Sequence, residues 1–129
     1  MNRTENFNIT NRTKSTVPPV PFANIKNVAL GKKYSLSLVF IGEAESRKLN
    51  NSYRGKNKPT NILSFPLDKK TGEIFITLKV AGKEAKDFGR KLPNFIAFLF
   101  IHGLMHLKGY RHGCTMERAE SKLCKKFGV

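Results

Sequence analysis

All three histidines of the chain fall within eleven residues, His102-Gly-Leu-Met-His106-Leu-Lys-Gly109-Tyr-Arg-His112, an HxxxHxxGxxH arrangement. Four residues make about one helical turn, so His102 and His106 project from one helix face and can each offer a ring nitrogen to one ion. Gly109 permits a left-handed turn that ends the helix, after which Tyr110 and Arg111 carry the chain back and His112 approaches from outside. Three imidazoles leave a fourth coordination position for water, the feature that separates a catalytic zinc from a closed structural one. One zinc ion per chain, held by His102, His106 and His112, is therefore expected. Cys114 offers a soft sulfur ligand two residues further on, which three histidines make unnecessary.

The HExxH metalloproteases place their glutamate base directly after the first histidine, and here that position is Gly103. Peptide hydrolysis is thereby disfavoured. Activation of water by the metal itself remains open, especially where an arginine balances the charge of the transition state.

The chain has 24 lysines and arginines against nine acids, a net charge of +15 over 129 residues. Eleven cations stand against three acids in residues 1–60 and thirteen against six in residues 61–129, so the charge is general and not a detachable tail. Such a field attracts polyanions and makes nucleic acid the leading partner class, although net charge does not separate RNA from DNA or from an anionic membrane. The length suits one domain. No run of eighteen apolar residues occurs, and Met-Asn-Arg-Thr-Glu-Asn-Phe-Asn lacks the apolar segment of a signal peptide, so a cytoplasmic protein with no membrane partner is expected. Cys114 and Cys124 are read as reduced thiols.

These residues need a frame to hold them. Residues 1–21, polar and then proline-rich, read as a flexible N-terminal arm, and residues 22–129 as a single domain. A short helix is expected over 22–30, stopped by Gly31, and a strand over Tyr34–Ile41 ended by Gly42. Glu43–Tyr53 reads as a helix anchored by Leu49 and Tyr53, followed by a basic turn from Arg54 to Pro59. Thr60–Phe65 and Glu73–Val80 read as strands joined through Pro66–Gly72, with Ile74, Ile76, Leu78 and Val80 on one face. A short helix containing Glu84–Phe88 should follow Gly82. The histidine helix runs from Leu92 to Leu107, with Pro93 in its first turn. Thr115 reads as the N-cap of a last helix whose apolar stripe is Met116, Ala119, Leu123 and Phe127. These elements make an α+β fold, helices packed against a mixed sheet.

The histidine motif is accompanied by Leu49-Asn50, Tyr53-Arg54-Gly55-Lys56, the run Lys58-Pro-Thr-Asn-Ile-Leu-Ser-Phe-Pro66, and Gly72-Glu73-Ile74. In this order, over about residues 22–127, the blocks resemble the bacterial YbeY family of zinc-dependent, single-strand-specific endoribonucleases. That family acts in 16S ribosomal RNA 3′-end maturation and ribosome quality control. The resemblance implies a four-stranded mixed sheet, a zincin-like site with His102, His106 and His112 as ligands, and Arg54 as the functional arginine of the cleft. It also implies single-stranded RNA, the 16S ribosomal RNA precursor, as substrate and the ribosome or its small subunit as partner. Two departures stand out: Arg111 replaces the family's usual aspartate before the third histidine, and the N-terminal region is shorter than usual, which implies an abbreviated first strand and helix.

On this reading Arg54 presents paired donors to a phosphate, Asn50 orients that arginine or touches ribose, and Lys56 and Lys58 hold the flanking strand by charge. Arg111 is expected to face the cleft. Asn61 and Ser64 should face opposite ways if they share one regular strand. Two other functions fit the same residues. One is a non-catalytic, zinc-stabilised, ribosome-associated RNA-binding protein, and the other is a zincin-type hydrolase of aminoacyl or peptide bonds. A carboxylate near the metal would favour the latter, and Glu45 is the first acid to inspect.

Overall fold

The computed structural model describes residues 6–129, together with the backbone of Arg3 and Thr4. Its first elements are strands. β1 (Arg3–Thr4) pairs antiparallel with β2 (Phe7–Asn11), and β2 runs parallel to β3 (Ser35–Ile41), with Phe7 opposite Leu36 and Asn11 opposite Phe40. The flexible-arm reading of residues 1–21 is corrected here for residues 7–11. Phe7 and Ile9 alternate with Asn8 and Thr10, so one face carries apolar groups, and Phe7 is buried in the core with Ile9 packed beside it. Residues 12–21 form neither helix nor strand, yet Val17 and Val20 pack against the same core.

α1 (Phe22–Leu30) buries Phe22, Ile25 and Ala29 at helical spacing and stops at Gly31, whose φ of 90° favours glycine. After β3 come α2 (Glu43–Arg54), β4 (Ile62–Asp68) and β5 (Thr71–Thr77). The sheet order is β1-β2-β3-β5-β4, with β3 and β5 parallel and β4 antiparallel to β5. The sheet is thus mixed, as the sequence predicted, but the two-residue β1 adds a fifth strand to the expected four.

Period-2 alternation divides the sheet into two faces. Leu36, Leu38, Phe40, Ile74 and Ile76 join the main core, while Val39, Ile41, Leu63 and Phe75 make a second cluster that Leu49 of α2 helps to cover. Tyr53, expected to anchor α2, is 67% exposed and leans its ring on Phe65 instead. The buried α2 positions are polar: Ser46 and Asn50, one turn apart.

β5 ends at Thr77 rather than at Val80, because Leu78, Ala81 and Ala85 recur at helical spacing and form the buried stripe of α3 (Leu78–Asp87). Gly82 lies inside α3 and does not break it. α4 (Leu92–Leu107) matches its predicted bounds. It is apolar on nearly every side because it meets β4, β5, α1, α3 and α5 (Cys114–Phe127). The N-cap of α5 is Gly113 rather than Thr115, while Met116 is buried and Ala119, Leu123 and Phe127 pack on the core as expected. Among the described residues no helix is long and apolar enough to cross a membrane.

Candidate metal centre

α4 carries His102 and His106 on one face, and the left-handed turn at Gly109, φ 102°, brings His112 back to meet them. One potential ligand atom from each ring lies within 4.8 Å of the others. His102 Nε2 and His106 Nε2 are 3.1 Å apart. Two ring nitrogens about 2 Å from a shared tetrahedral zinc would stand roughly 3.3 Å apart, so the spacing suits that ion. Cys114 is exposed and stands outside this cluster.

Sequence reading missed Glu120. It lies on α5, and its side chain is 12% exposed with Oε1 accepting from His102 Nδ1–H. A carboxylate only accepts, so this contact fixes the proton on Nδ1 and leaves the Nε2 lone pair for a cation. Its signal was present in the sequence: Glu120 follows the buried Met116 by four residues and therefore shares its inward-facing side.

Burial lowers the pKa of His106, the charges of His102 and His112 lower it further, Glu120 opposes them, and Arg54 adds to the lowering. The neutral imidazole is the form that binds a metal, so this environment favours binding.

Gly103 explains why the protease glutamate has no place here. A Cβ at this position would sit 2.8 Å from Ile62 Cδ1, 2.9 Å from Ser64 Oγ and 3.1 Å from Ile74 Cδ1. Position 103 is turned against β4 and β5, and its lack of a side chain lets α4 lie close to the sheet.

The histidines open into a cavity of about 760 Å³ that Arg54, Ser64, Glu84, Glu117 and Phe88 also line. Arg54 is placed by the end of α2, where Gly55 adopts the left-handed conformation, φ 68°, and closes the helix on Asn50 and Asn51 carbonyls. The following loop is clasped by α2. Ser46 Oγ donates to Thr60 O at 3.0 Å and accepts from Thr60 N–H at 2.9 Å, while Asn50 Nδ2 donates to Lys58 O at 2.8 Å. Asn50, expected to orient Arg54 or touch ribose, is only 1% exposed, so the structure corrects the RNA contact and makes it a brace for the loop that follows Arg54.

Lys56 and Lys58 are exposed on that loop and do not line the cavity. Arg111, expected to face the cleft, is exposed and absent from the lining as well. Asn61 and Ser64 both reach the cavity, because Asn61 precedes β4 and escapes its alternation, its amide donating to Glu84 Oε1 at 2.8 Å. Glu45 pairs with Arg12, away from the histidines. The carboxylates that line the cavity are Glu84, Glu117 and Glu120.

A family profile described as Endoribonuclease YbeY matches residues 1–127. A relative named Endoribonuclease YbeY from Finegoldia magna is 32% identical over 140 residues, covering 99% of this chain and 92% of its own. One of the same name from Ehrlichia chaffeensis is 34% identical over 134 residues, covering 95% and 87%. The solution structure of TM1509 from Thermotoga maritima matches with a TM-score of 0.66 at 22% identity, over 94% of this chain and 88% of that one, a likeness of fold.

Proposed function

The chain belongs to the YbeY family, and from that premise we propose that it is a zinc-dependent endoribonuclease that cuts single-stranded RNA. Its substrate on this reading is the 3′ region of precursor 16S ribosomal RNA, met on the ribosome or its small subunit. The observation that carries the reading is the shared cavity: three convergent imidazoles and one arginine open onto the same space.

His102, His106 and His112 would hold the ion, which supplies Lewis acidity toward water and a phosphoryl oxygen. Arg54 offers a planar fork of N–H donors to the phosphate, a geometry that lysine lacks. Glu120 keeps the His102 proton on Nδ1 and so keeps the ligand nitrogen unprotonated. Glu84 and Glu117 stand in the cavity as carboxylates able to accept a proton from an attacking water.

These two carboxylates also favour the second reading, a zincin-type hydrolase of aminoacyl or peptide bonds. Arg54 and the +15 charge weigh toward a phosphodiester. The non-catalytic, zinc-stabilised reading is weaker, because Met116 and its stripe join α5 to the core without the histidines.

Elemental analysis and cleavage of a single-stranded oligoribonucleotide test the proposal together. Each of His102→Ala, His106→Ala and His112→Ala should lose zinc sharply, and Arg54→Lys should keep zinc and lose cleavage. Full zinc in all three alanine variants, or unimpaired cleavage by Arg54→Lys, overturns the assignment. Hydrolysis of an aminoacyl ester or peptide in place of RNA selects the second reading.

A further inference from the structure

Phe88 is 71% exposed, the most exposed of the large hydrophobic side chains among the described residues, and it stands at the same cavity as the histidines. Exposure of one aromatic ring is ordinary, but its surroundings are not. Phe88 lies 5.9 Å from Phe95, centroid to centroid, with the planes tilted by 31°, and Phe95 lies 6.2 Å from Phe98 at 25°. Three rings thus neighbour one another in turn along the cavity wall, the first pair tilted. At the far end the Arg90 guanidinium sits 4.7 Å over the ring of the half-buried Phe98, with its Nη1 buried and without a hydrogen-bond partner. At the outer end Phe88 is turned to solvent. Around it the sequence reads Lys86-Asp-Phe88-Gly-Arg90-Lys91, with Lys86 and Lys91 exposed. Three cations outnumber the adjoining Asp87 in this segment, and an exposed ring with cations nearby lets a protein hold a base by its face and the backbone by its charge.

We propose that Phe88 is a base-stacking platform: an unpaired nucleobase of the RNA strand lies on its solvent face and extends the Phe98-Phe95-Phe88 series, while Lys86 and Lys91 attract the adjoining phosphates. The proposal rests on the RNA reading of the cleft and adds a reason for single-strand preference. A base held inside a duplex presents its face to its neighbours and has none to offer Phe88.

The test uses the full-length, zinc-loaded chain and a labelled twelve-nucleotide single-stranded RNA with phosphorothioate linkages, its binding followed by fluorescence anisotropy. Phe88→Ala should weaken binding about tenfold, in line with base-aromatic stacking. Phe88→Trp should restore it, Phe88→Leu should not, and zinc content should stay unchanged in all three. In a series of RNAs carrying one abasic site each, one position should weaken binding to the wild type and leave Phe88→Ala unaffected.

Equal affinity of wild type and Phe88→Ala overturns the platform, as does full rescue by leucine, which supplies apolar area without a π-face. Self-association of the wild type that Phe88→Ala abolishes, with RNA affinity unchanged, assigns the ring to contact between copies and overturns it equally. Failure of the wild type to bind or cut RNA removes the RNA reading and the platform with it. That result is distinct from a wild type that binds RNA with Phe88 indifferent.

Discussion

His102 is a ligand candidate because of its spacing, but its usefulness depends on a proton that a residue eighteen positions away controls. Replacing Glu120 by glutamine keeps the shape and removes the charge that holds Nδ1–H in place. Glu120→Gln should lower zinc affinity about 10- to 100-fold, the range for a lost orienting partner, while the thermal transition of the zinc-free chain stays cooperative. Competition with a chromophoric chelator reads the affinity; an unchanged value would show that the carboxylate plays no part. The pH response has a definite sign. His106 in the folded chain holds its proton more weakly than an ordinary imidazole, so the unfolded chain protonates first as pH falls. Its contribution to stability is full above the ordinary imidazole value and is lost as pH falls through the lowered folded one. Denaturant unfolding of the zinc-free chain from pH 8 to pH 5 should follow that course, and His106→Gln should flatten its share of the slope.

The elements differ in how plainly the sequence announced them, and the difference is physical. α4 was legible to its ends because Pro93 marks its first turn, its apolar residues are continuous, and the histidine spacing requires a helix. β2 was not, because a strand with few apolar side chains resembles a polar arm until β3 is there to pair with it. The change from β5 to α3 was hidden because Ile74, Ile76 and Leu78 alternate across the boundary, and only Ala81 and Ala85 reveal the new period. Of the site, the three candidate ligands could be read from type and spacing and Arg54 only through the family resemblance, whereas Glu84 and Glu120 depend on how α3 and α5 pack. Two consequences can be measured by denaturant unfolding. Removal of residues 1–11 should destabilise the chain, since it exposes the edge of β3 and takes Phe7 from its contact with Phe100; a transition at the wild-type midpoint would restore the arm reading. Gly103→Ala should cost about 1–3 kcal/mol, the usual range for overpacking, because Ile62, Ser64 and Ile74 must all shift. An unchanged midpoint there would mean that α4 has room to move off the sheet.

Over the whole molecule the charge of +15 attracts polyanions, the proposed RNA substrate among them, without choosing where they bind. Local contacts and the diffuse field separate in their response to salt. Each phosphate neutralised by a bound cation contributes about 0.7 to the slope of log affinity against log salt for a single strand, whereas charges beyond the Debye length of about 10 Å at 0.1 M are screened. Lys56 and Lys58 follow Arg54 on the loop that Ser46 and Asn50 clasp, so their backbone is held in place while their side chains are exposed. That arrangement favours contact with a strand leaving the cavity. Lys56→Gln with Lys58→Gln should therefore reduce the slope by about 1.4, two contacts' worth, with zinc content unchanged. Arg111→Gln is the reference: it removes one exposed cation next to His112 that does not line the cavity, and its slope should match the wild type. Salt titration of oligoribonucleotide binding between 50 and 200 mM measures both. Equal slopes for the double variant and the wild type would mark the loop lysines as solvated surface, and a lower slope for Arg111→Gln would place that arginine on the RNA after all.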